Sequence, residues 1–169
     1  MIHIYTGEGK GKTTAAIGAA LRAKSRGLHV LFAQFMKDDE TGEIALLRKL
    51  NISSVVFNSV LSPLFHPEED KEQIKHNVYN ALIYLINLMS VNSYDLIVLD
   101  EFNCLISEYL ISEDEAVYFI EQNFKNVELI LTGRGASKRL VEIADYVTEM
   151  HNLKHPFNNG LQARNGIEY

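Results

Sequence analysis

The sequence predicts a single α/β domain in which a mostly parallel sheet lies between two layers of helices. Short apolar runs, such as Leu28–Phe35 and Val127–Leu131, have the composition of buried parallel strands. They alternate with stretches of helical spacing, the longest from Glu68 to Met89. Polar or glycine-rich residues follow the carboxyl end of several strands. Because ligands in open parallel sheets bind at those ends, we expect the functional site there.

Length and composition restrict the possible functions. A chain of 169 residues with 47% hydrophobic composition fits one domain, residues 1–169, and no repeat or linker divides it. The net charge of −6 argues against a general nucleic-acid binder. The single cysteine, Cys104, excludes an internal disulfide and a cysteine-based zinc site, and we interpret it as a small apolar residue in a helix. With no leader pattern and no apolar stretch of membrane length, a cytoplasmic location is expected, with no membrane partner.

The first strand, Ile2–Tyr5, runs into a glycine-rich segment that reads T-G-E-G-K-G-K-T, which we call the phosphate loop (Thr6–Thr13). Its glycines allow backbone N–H groups to surround phosphate oxygens, and the next helix adds positive charge at its N-terminus. Lys12 is predicted to reach the outer phosphates and Thr13 to ligate Mg²⁺. The alternative is a glycine-rich turn without a ligand. The residues predicted to bind nucleotide are Gly7, Glu8, Gly9, Lys10, Gly11, Lys12, Thr13 and Thr14. The loop departs from G-x-x-x-x-G-K-[ST] because Thr6 occupies the first glycine position.

The next elements follow from apolar periodicity. The predicted order is helix Thr13–Ser25 ending near Gly27, strand Leu28–Phe35, a polar turn from Lys37 to Glu43, helix Ile44–Leu50 and strand Val55–Phe57. After them comes a loop with an unusual number of apolar residues, which we call the apolar loop (Asn58–Pro67), and we expect it to have an apolar partner. On the long helix that follows, we interpret the apolar stripe as core and His76 as a surface or capping residue.

A second chemical signal follows the next strand. The segment Tyr94–Asn103 reads as an apolar strand that runs into Asp100 and Glu101. In proteins with a phosphate loop, an acid at the end of a core strand faces that loop and holds Mg²⁺ or its waters, which is the role predicted for both residues. The alternative is that the paired acids cap the following helix.

The last third of the chain completes the predicted sheet. A capping box at Ser112–Glu115 starts a helix through Phe124, and strand Val127–Leu131 delivers Thr132–Ala136. Arg134 is predicted to reach an anion, with a solvated arginine in a flexible turn as the alternative. Helix Ser137–Ala144 and strand Tyr146–Met150 then precede a loop-like tail. Together with the phosphate loop, this order predicts a three-layer P-loop NTPase-like (RecA-like) fold, which by itself leaves the reaction open.

Several motifs together resemble the P-loop type of ATP:cob(I)alamin (corrinoid) adenosyltransferase over essentially the whole chain. They are Y-T-G-E-G-K-G-K-T-T-A-A from Tyr5, Q-F-M-K from Gln34 with Gly42-Glu43, V-L-D-E from Val98, L-T-G-R-G-A from Leu131 and the ending K-H-P-F from Lys154 with Gly160 and G-I-E-Y from Gly166. The T-G-R-G-A segment and the ending are the distinctive ones. The phosphate loop with Thr6 is also similar to that of this family.

This resemblance implies that cobalt(I) of a reduced corrinoid, of the cob(I)alamin or cobinamide type, attacks the ribose 5′-carbon of ATP and releases triphosphate. Lys12, Thr13 and Glu101 would be the catalytic residues, with Mg²⁺ held by Thr13, Glu101 and Asp100, and the leaving polyanion would be stabilised by Lys12 and the loop amides. The cobalt supplies the nucleophile, so the protein supplies position and electrostatics. The resemblance also implies a flavoprotein electron donor and a homodimer.

The chain departs from the family pattern on the corrinoid side. Relatives use an aromatic wedge to remove the lower axial ligand of cobalt, but this chain contains no Trp. Phe65 in the apolar loop is the predicted wedge and corrinoid-binding residue, whereas Phe57 is interpreted as core packing. Asp38-Asp39 replace the glycine and tryptophan expected after Lys37. These changes concern corrinoid recognition more than ATP binding.

Two other functions stay open on the residues alone. A nucleoside kinase-like phosphotransferase could use the same loop and acids, although no base for an acceptor hydroxyl is evident. A non-catalytic ATP- or corrinoid-binding switch would also use this loop. A GTPase is less favoured because no N-K-x-D motif for base recognition occurs.

Overall fold

A computed structural model describes residues 1–37, 42–154, 164 and 166–167. Strands and helices alternate along most of the chain. The strands are β1 (Ile2–Thr6), β2 (Val30–Gln34), β3 (Ser53–Val56), β4 (Leu96–Asp100), β5 (Glu128–Thr132) and β6 (Tyr146–Glu149). The helices are α1 (Lys12–Ser25), α2 (Gly42–Lys49), α3 (Lys71–Val91), α4 (Phe102–Ser107), α5 (Glu113–Asn123) and α6 (Lys138–Ile143).

The six strands form one sheet in the order β3-β2-β4-β5-β1-β6, and every neighbouring pair is parallel. One apolar cluster joins α1 and α2 to one face of the sheet, and a larger cluster joins α3, α4, α5 and α6 to the other. Strands β2 and β4 are buried along their whole length because helices cover both faces. The predicted three-layer P-loop NTPase-like fold is confirmed.

The main difference from the predicted elements is α4. The segment Tyr94–Asn103 was predicted as an apolar strand that runs into Asp100 and Glu101, and β4 does end at Asp100, but the chain then turns directly into α4, whose bounds were not predicted. Five consecutive residues of α4 are buried, from Phe102 to Ile106, so this short helix lacks the amphipathic spacing that identifies helices in a sequence. The start of α3 is also later than predicted, since Asp70 is its N-cap and accepts a hydrogen bond from the Glu72 N–H.

Several local predictions are confirmed. Ser112 and Glu115 form a reciprocal capping box at the start of α5. Gly27 follows the end of α1 with a φ of 82°, the left-handed conformation that favours glycine. His76 is exposed on α3. Asp38-Asp39, which depart from the family pattern, lie outside the described residues, as do His155-Pro156-Phe157, Gly160 and Glu168-Tyr169, which contribute to the family resemblance. In the part of the chain that is described, no helix is both long enough and apolar enough to cross a membrane.

Candidate functional site at the carboxyl edge of the sheet

The phosphate loop connects β1 to α1, and Lys12 folds back over it. The Lys12 ammonium donates hydrogen bonds to the carbonyl oxygens of Gly7, at 2.8 Å, and Gly9, at 3.0 Å. The residue is largely buried although it carries a charge. Backbone carbonyls therefore hold the ammonium at the mouth of the loop, where a phosphate chain can take their place as its partner.

The glycines of the loop are needed for a second reason, which the sequence did not indicate. The backbone at Met150, just after β6, lies against the loop: the Gly9 N–H donates to the Met150 carbonyl at 2.6 Å, and the Met150 N–H donates to the Thr6 carbonyl at 2.8 Å. A Cβ on Gly7 would come within 2.5 Å of the Met150 oxygen, and one on Gly9 within 2.7 Å. Neither position can carry a side chain unless this backbone moves.

Thr6, which departs from the usual phosphate-loop pattern, connects the phosphate loop to a second loop through a hydrogen bond of its side chain. Its side chain is buried, and its Oγ1 accepts a hydrogen bond from the Ala136 N–H at 3.2 Å. This contact joins the phosphate loop to the T-G-R-G-A segment that follows β5. A glycine at position 6 would leave the Ala136 N–H without this acceptor, so the substitution links two of the motifs that carry the family resemblance.

Asp100 ends β4 and is fully buried. Its Oδ1 accepts from the Thr132 hydroxyl at 2.6 Å, and its Oδ2 accepts from the Gln34 amide at 3.0 Å. The Thr13 hydroxyl is a third hydrogen-bonding partner. Burial, with the nearby charge of Glu101, raises the pKa of Asp100, whereas the three hydrogen bonds favour the carboxylate and act in the opposite direction. The predicted proximity of Thr13 and Asp100 is thus present, with Asp100 behind Thr13.

Glu101 adopts a left-handed backbone conformation, with a φ of 61°, directly before α4. Although it occupies the N-cap position, its side chain makes no capping hydrogen bond. The alternative that the paired acids cap the following helix therefore does not apply to the Glu101 side chain. Its Oε2 instead accepts a hydrogen bond from the Cys104 thiol at 3.1 Å. Burial, followed by the charge of Glu101, raises the pKa of Cys104, so the thiol stays protonated and serves as the donor.

The phosphate loop, Glu101 and the segment after β2 enclose a cavity of about 530 Å³. This volume lies within the range of small-ligand sites, roughly 300–1,000 Å³. Among its described lining residues are three lysines, Lys10, Lys12 and Lys37, and two aliphatic residues, Ile17 and Leu46. The remaining lining residues are Gly11, Thr13, Thr14, Gly42, Glu43, Glu101, Gly166 and Ile167.

The cavity includes residues that sequence reasoning did not assign to the site. Lys37 and Glu43 were placed in a polar turn and in motifs of the family resemblance without a role in the site, and Ile17 and Leu46 only on helices. The position of Lys37 just beyond the carboxyl end of β2 is the signal that could have identified it. Lys10 donates to the Ile167 carbonyl at 3.1 Å, which brings the end of the chain to the cavity.

Six of the predicted site residues do not line this cavity: Gly7, Glu8, Gly9, Asp100, Arg134 and Phe65. Arg134 is exposed, and its Nε lies 3.3 Å from the Oε2 of Glu8 in an equally exposed ion pair. Phe65 is 79% exposed at the end of the apolar loop, beside Leu64 at 75%. The loop is held to the end of α4 by a hydrogen bond of 2.7 Å from the Ser62 hydroxyl to Glu108.

Comparisons with known proteins identify the family of this chain. The family model described as ATP:corrinoid adenosyltransferase BtuR/CobO/CobP matches residues 1–169. The corrinoid adenosyltransferase of Escherichia coli K12 is 31% identical over 170 residues, which cover 100% of this chain and 85% of that protein. The corrinoid adenosyltransferase of Pseudomonas aeruginosa is 30% identical over 98% of this chain and 82% of its own. The enzyme CobA of Salmonella typhimurium, another corrinoid adenosyltransferase, is 29% identical over 100% of this chain and 85% of its own.

Among solved structures, the flagellar accessory protein FlaH of Methanocaldococcus jannaschii has a similar fold, with a TM-score of 0.54. The alignment covers 88% of this chain and 69% of FlaH at 13% identity, so this similarity concerns the fold alone. The full-length match to the family model, together with the adenosyltransferases at about 30% identity, decides the classification. The chain belongs to the family of ATP:corrinoid adenosyltransferases.

Proposed function

We propose that the cavity binds Mg²⁺ and ATP, and that the chain transfers the 5′-deoxyadenosyl group of ATP to the cobalt of a reduced corrinoid and releases triphosphate. Membership of the adenosyltransferase family supports the reaction. The single observation that carries the site assignment is the grouping of Lys10, Lys12, Lys37 and Glu101 around one cavity.

The chemistry places its largest demand on the leaving group. The electron pair of cobalt(I) forms a Co–C bond at the ribose 5′-carbon, while the C–O bond to the triphosphate breaks and its electrons leave with the phosphate oxygen. Fixed ammonium groups and backbone N–H groups stabilise that developing charge without reorganisation during the reaction. Lys12 is the central group, because its present partners, the carbonyls of Gly7 and Gly9, compete weakly with a polyphosphate.

The chain's residues fit a magnesium ion that is shared with the nucleotide. Mg²⁺ in nucleotide sites is bound by one or two carboxylates, substrate phosphates and water rather than by an all-protein cage. In keeping with this, no three His, Cys, Asp or Glu side chains come together as a metal site within the described ranges. Thr13 and Glu101 would be the direct ligands, with Asp100 acting through the Thr13 hydroxyl. When bound, the ion would supply further neutralisation of phosphate charge.

Apolar surfaces are available for the other parts of the two substrates. Ile17 and Leu46 offer an aliphatic wall for the nucleoside. On the corrinoid side, Leu64, Phe65 and Tyr109 are all at least 75% exposed, and the Ser62–Glu108 hydrogen bond keeps their two segments together. We assign the lower face of the corrin to this surface, with Phe65 as the wedge that excludes an axial ligand. Its exposure is what such a contact requires.

The remaining partner assignments extend the family resemblance. A flavoprotein would deliver the electron that reduces cobalt to the reactive state. Exposed apolar residues on α3, including Ile83 at 55% and Tyr84 at 50%, support a homodimer. Arg134 is assigned to anion binding. Its exposed ion pair with Glu8 would then be replaced by a contact with a phosphate or with an acid group of the corrinoid.

The test is an anaerobic reaction of the protein with ATP, Mg²⁺ and chemically reduced cob(I)alamin, followed by absorption spectroscopy. The expected result is the spectrum of adenosylcobalamin, which is bleached by light as its Co–C bond breaks. ADP formation that depends on an added nucleoside, without a change in the cobalamin spectrum, would favour the phosphotransferase. Tight binding of ATP or corrinoid without any product would favour the switch.

A further inference from the structure

The hydroxyl of Thr132, the last residue of β5, contacts both acids of the site. It is completely buried and lies beside the end of β4, where Leu131 pairs with Leu99. Its Oγ1 donates to the Asp100 carboxylate at 2.6 Å and accepts the Glu101 N–H at 3.0 Å. One side chain therefore fixes a carboxylate and the backbone of the next residue at the same time.

The hydrogen bond from the Glu101 N–H to the Thr132 hydroxyl lies at a strained point of the backbone. Glu101 has a left-handed φ of 61°, a conformation that L-residues other than glycine rarely adopt and that persists only when surrounding contacts enforce it. Because of this turn, β4 ends at Asp100, Phe102 begins α4, and Glu101 is left in the wall of the cavity. The Thr132 hydroxyl is the side-chain acceptor that holds the turn from the neighbouring strand.

Gln34, the last residue of β2, completes the arrangement from the opposite side. Its register partner is Asp100, and its buried amide donates to the second carboxylate oxygen at 3.0 Å. Side chains of both neighbouring strands thus hold the Asp100 carboxylate. In this orientation it also hydrogen-bonds to the Thr13 hydroxyl of the phosphate loop. Such outer contacts typically determine the orientation of metal ligands and the affinity for the ion.

We propose that Thr132, assisted by Gln34, is a positioning residue that orients Asp100, Thr13 and Glu101 for Mg²⁺·ATP without itself touching either substrate. This inference rests on the Mg²⁺ site proposed above and adds to it the residues that set its geometry. Removing the Thr132 hydroxyl takes away one of the three side-chain hydrogen bonds that orient the Asp100 carboxylate, and it withdraws the acceptor of the Glu101 N–H. Binding of ATP through the phosphate loop alone does not require either contact.

The test compares Thr132→Val, which keeps the branched shape and removes the hydroxyl, with Thr132→Ser, which keeps the hydroxyl. Calorimetric titration of the full chain measures binding of ATP once with saturating Mg²⁺ and once with EDTA. For Thr132→Val the expected result is a loss of about tenfold or more in affinity for Mg²⁺·ATP, with metal-free ATP bound as by the parent. Thr132→Ser is expected to restore the parent's Mg²⁺ dependence.

Two results would overturn the proposal. Thr132→Val could keep the parent affinity for Mg²⁺·ATP, or it could lose affinity equally with and without Mg²⁺, which would indicate a general structural role. If Thr132→Val does not fold, Gln34→Met replaces it, with the same selective loss expected and the same two outcomes against it. A parent chain whose ATP binding is indifferent to Mg²⁺ would instead overturn the Mg²⁺ site itself, and the positioning role with it.

Discussion

The phosphate loop and the apolar loop both lie at the carboxyl edge of the sheet, but they are built in opposite ways. The phosphate loop is tied down through its backbone: the Met150 carbonyl and the Lys12 ammonium hydrogen-bond to it, and Thr6 joins it to Ala136. In the apolar loop Val60 and Ser62 are buried anchors, and the side chains at its end, Leu64 and Phe65, contact solvent.

We propose from this difference that the two loops serve different halves of the reaction. A polyphosphate needs fixed N–H groups and cations, which a rigid backbone provides. A large apolar ring system needs exposed apolar side chains on a stable support. We therefore expect substitutions in the phosphate loop to affect ATP and the leaving group, and substitutions at the end of the apolar loop to affect the corrinoid alone.

The largest effect is expected for Lys12→Ala. Loss of the ammonium that we propose to face the triphosphate should lower kcat by about a hundredfold or more, the usual cost of removing one stabilising group. Lys125→Ala is the matched control, since Lys125 is exposed and precedes the amino end of β5, opposite the cavity. Steady-state rates at saturating ATP measure the change. A Lys12→Ala variant that retains near-parent kcat would remove the phosphate loop from leaving-group stabilisation.

The next effect is expected for Gly9→Ala, where the new Cβ would lie 2.7 Å from the Met150 oxygen. The clash should destabilise the fold by about 1–3 kcal/mol and weaken ATP binding. Gly18→Ala is the control, because its Cβ would meet nothing within 4 Å and lies inside α1. There alanine should add about 0.5–1 kcal/mol of stability. Urea unfolding and ATP titration measure both, and equal behaviour of the two variants would contradict the described packing of Met150.

A smaller and more selective effect is expected for Phe65→Ala. Because the side chain is 79% exposed, stability should change by less than about 0.5 kcal/mol, and ATP affinity should be unchanged. The rate from cob(II)alamin with a reducing partner should fall about three- to tenfold, the value of one aromatic contact. Reaction from supplied cob(I)alamin should be nearly normal. Tyr118→Ala, an exposed aromatic residue on α5, is the control. If both variants match the parent from cob(II)alamin, another residue is the wedge.

The smallest effect is expected away from both loops, for Ser112→Ala. Loss of the N-cap of α5 should cost about 1 kcal/mol of stability without changing turnover. Hydrogen bonds from Ser112 lower the pKa of Glu115 in the folded protein. They therefore stabilise the fold fully at pH values above the ordinary glutamate pKa of 4.5, and this stabilisation is lost as the pH falls through the lowered pKa. The difference in unfolding free energy between parent and variant should therefore shrink in acid. A difference that stays constant from pH 7 to pH 3, measured with urea, would show that Glu115 takes no part.

The sequence predicted the parts of the molecule whose signal is local. The apolar stripe of α3, the capping box at Ser112 and the acids at the end of β4 can all be recognised from neighbouring residues. Cys104 was expected in a helix, but the bounds of α4 were not predicted, because α4 is six residues long and buried on nearly every side, which removes the polar face that marks a helix.

The missed parts of the site depend on contacts between residues far apart in the chain. Met150 reaches the phosphate loop only because β6 pairs with β1, and Thr132 reaches Asp100 only because β5 pairs with β4. Lys37 belongs to the cavity because β2 ends beside the same edge. Composition and periodicity contain no direct information about strand order, so these neighbours could not be assigned from the residues alone.

The most direct test of the central claim follows the phosphate products while the Co–C bond forms. The protein is mixed anaerobically with Mg²⁺, ATP and cob(I)alamin; adenosylcobalamin is measured by absorption, and the phosphates by ³¹P NMR. If the phosphate loop holds a departing triphosphate, intact triphosphate should appear in equal amount to adenosylcobalamin, and Lys12→Ala should slow both together. Formation of ADP and phosphate in place of triphosphate would contradict this role.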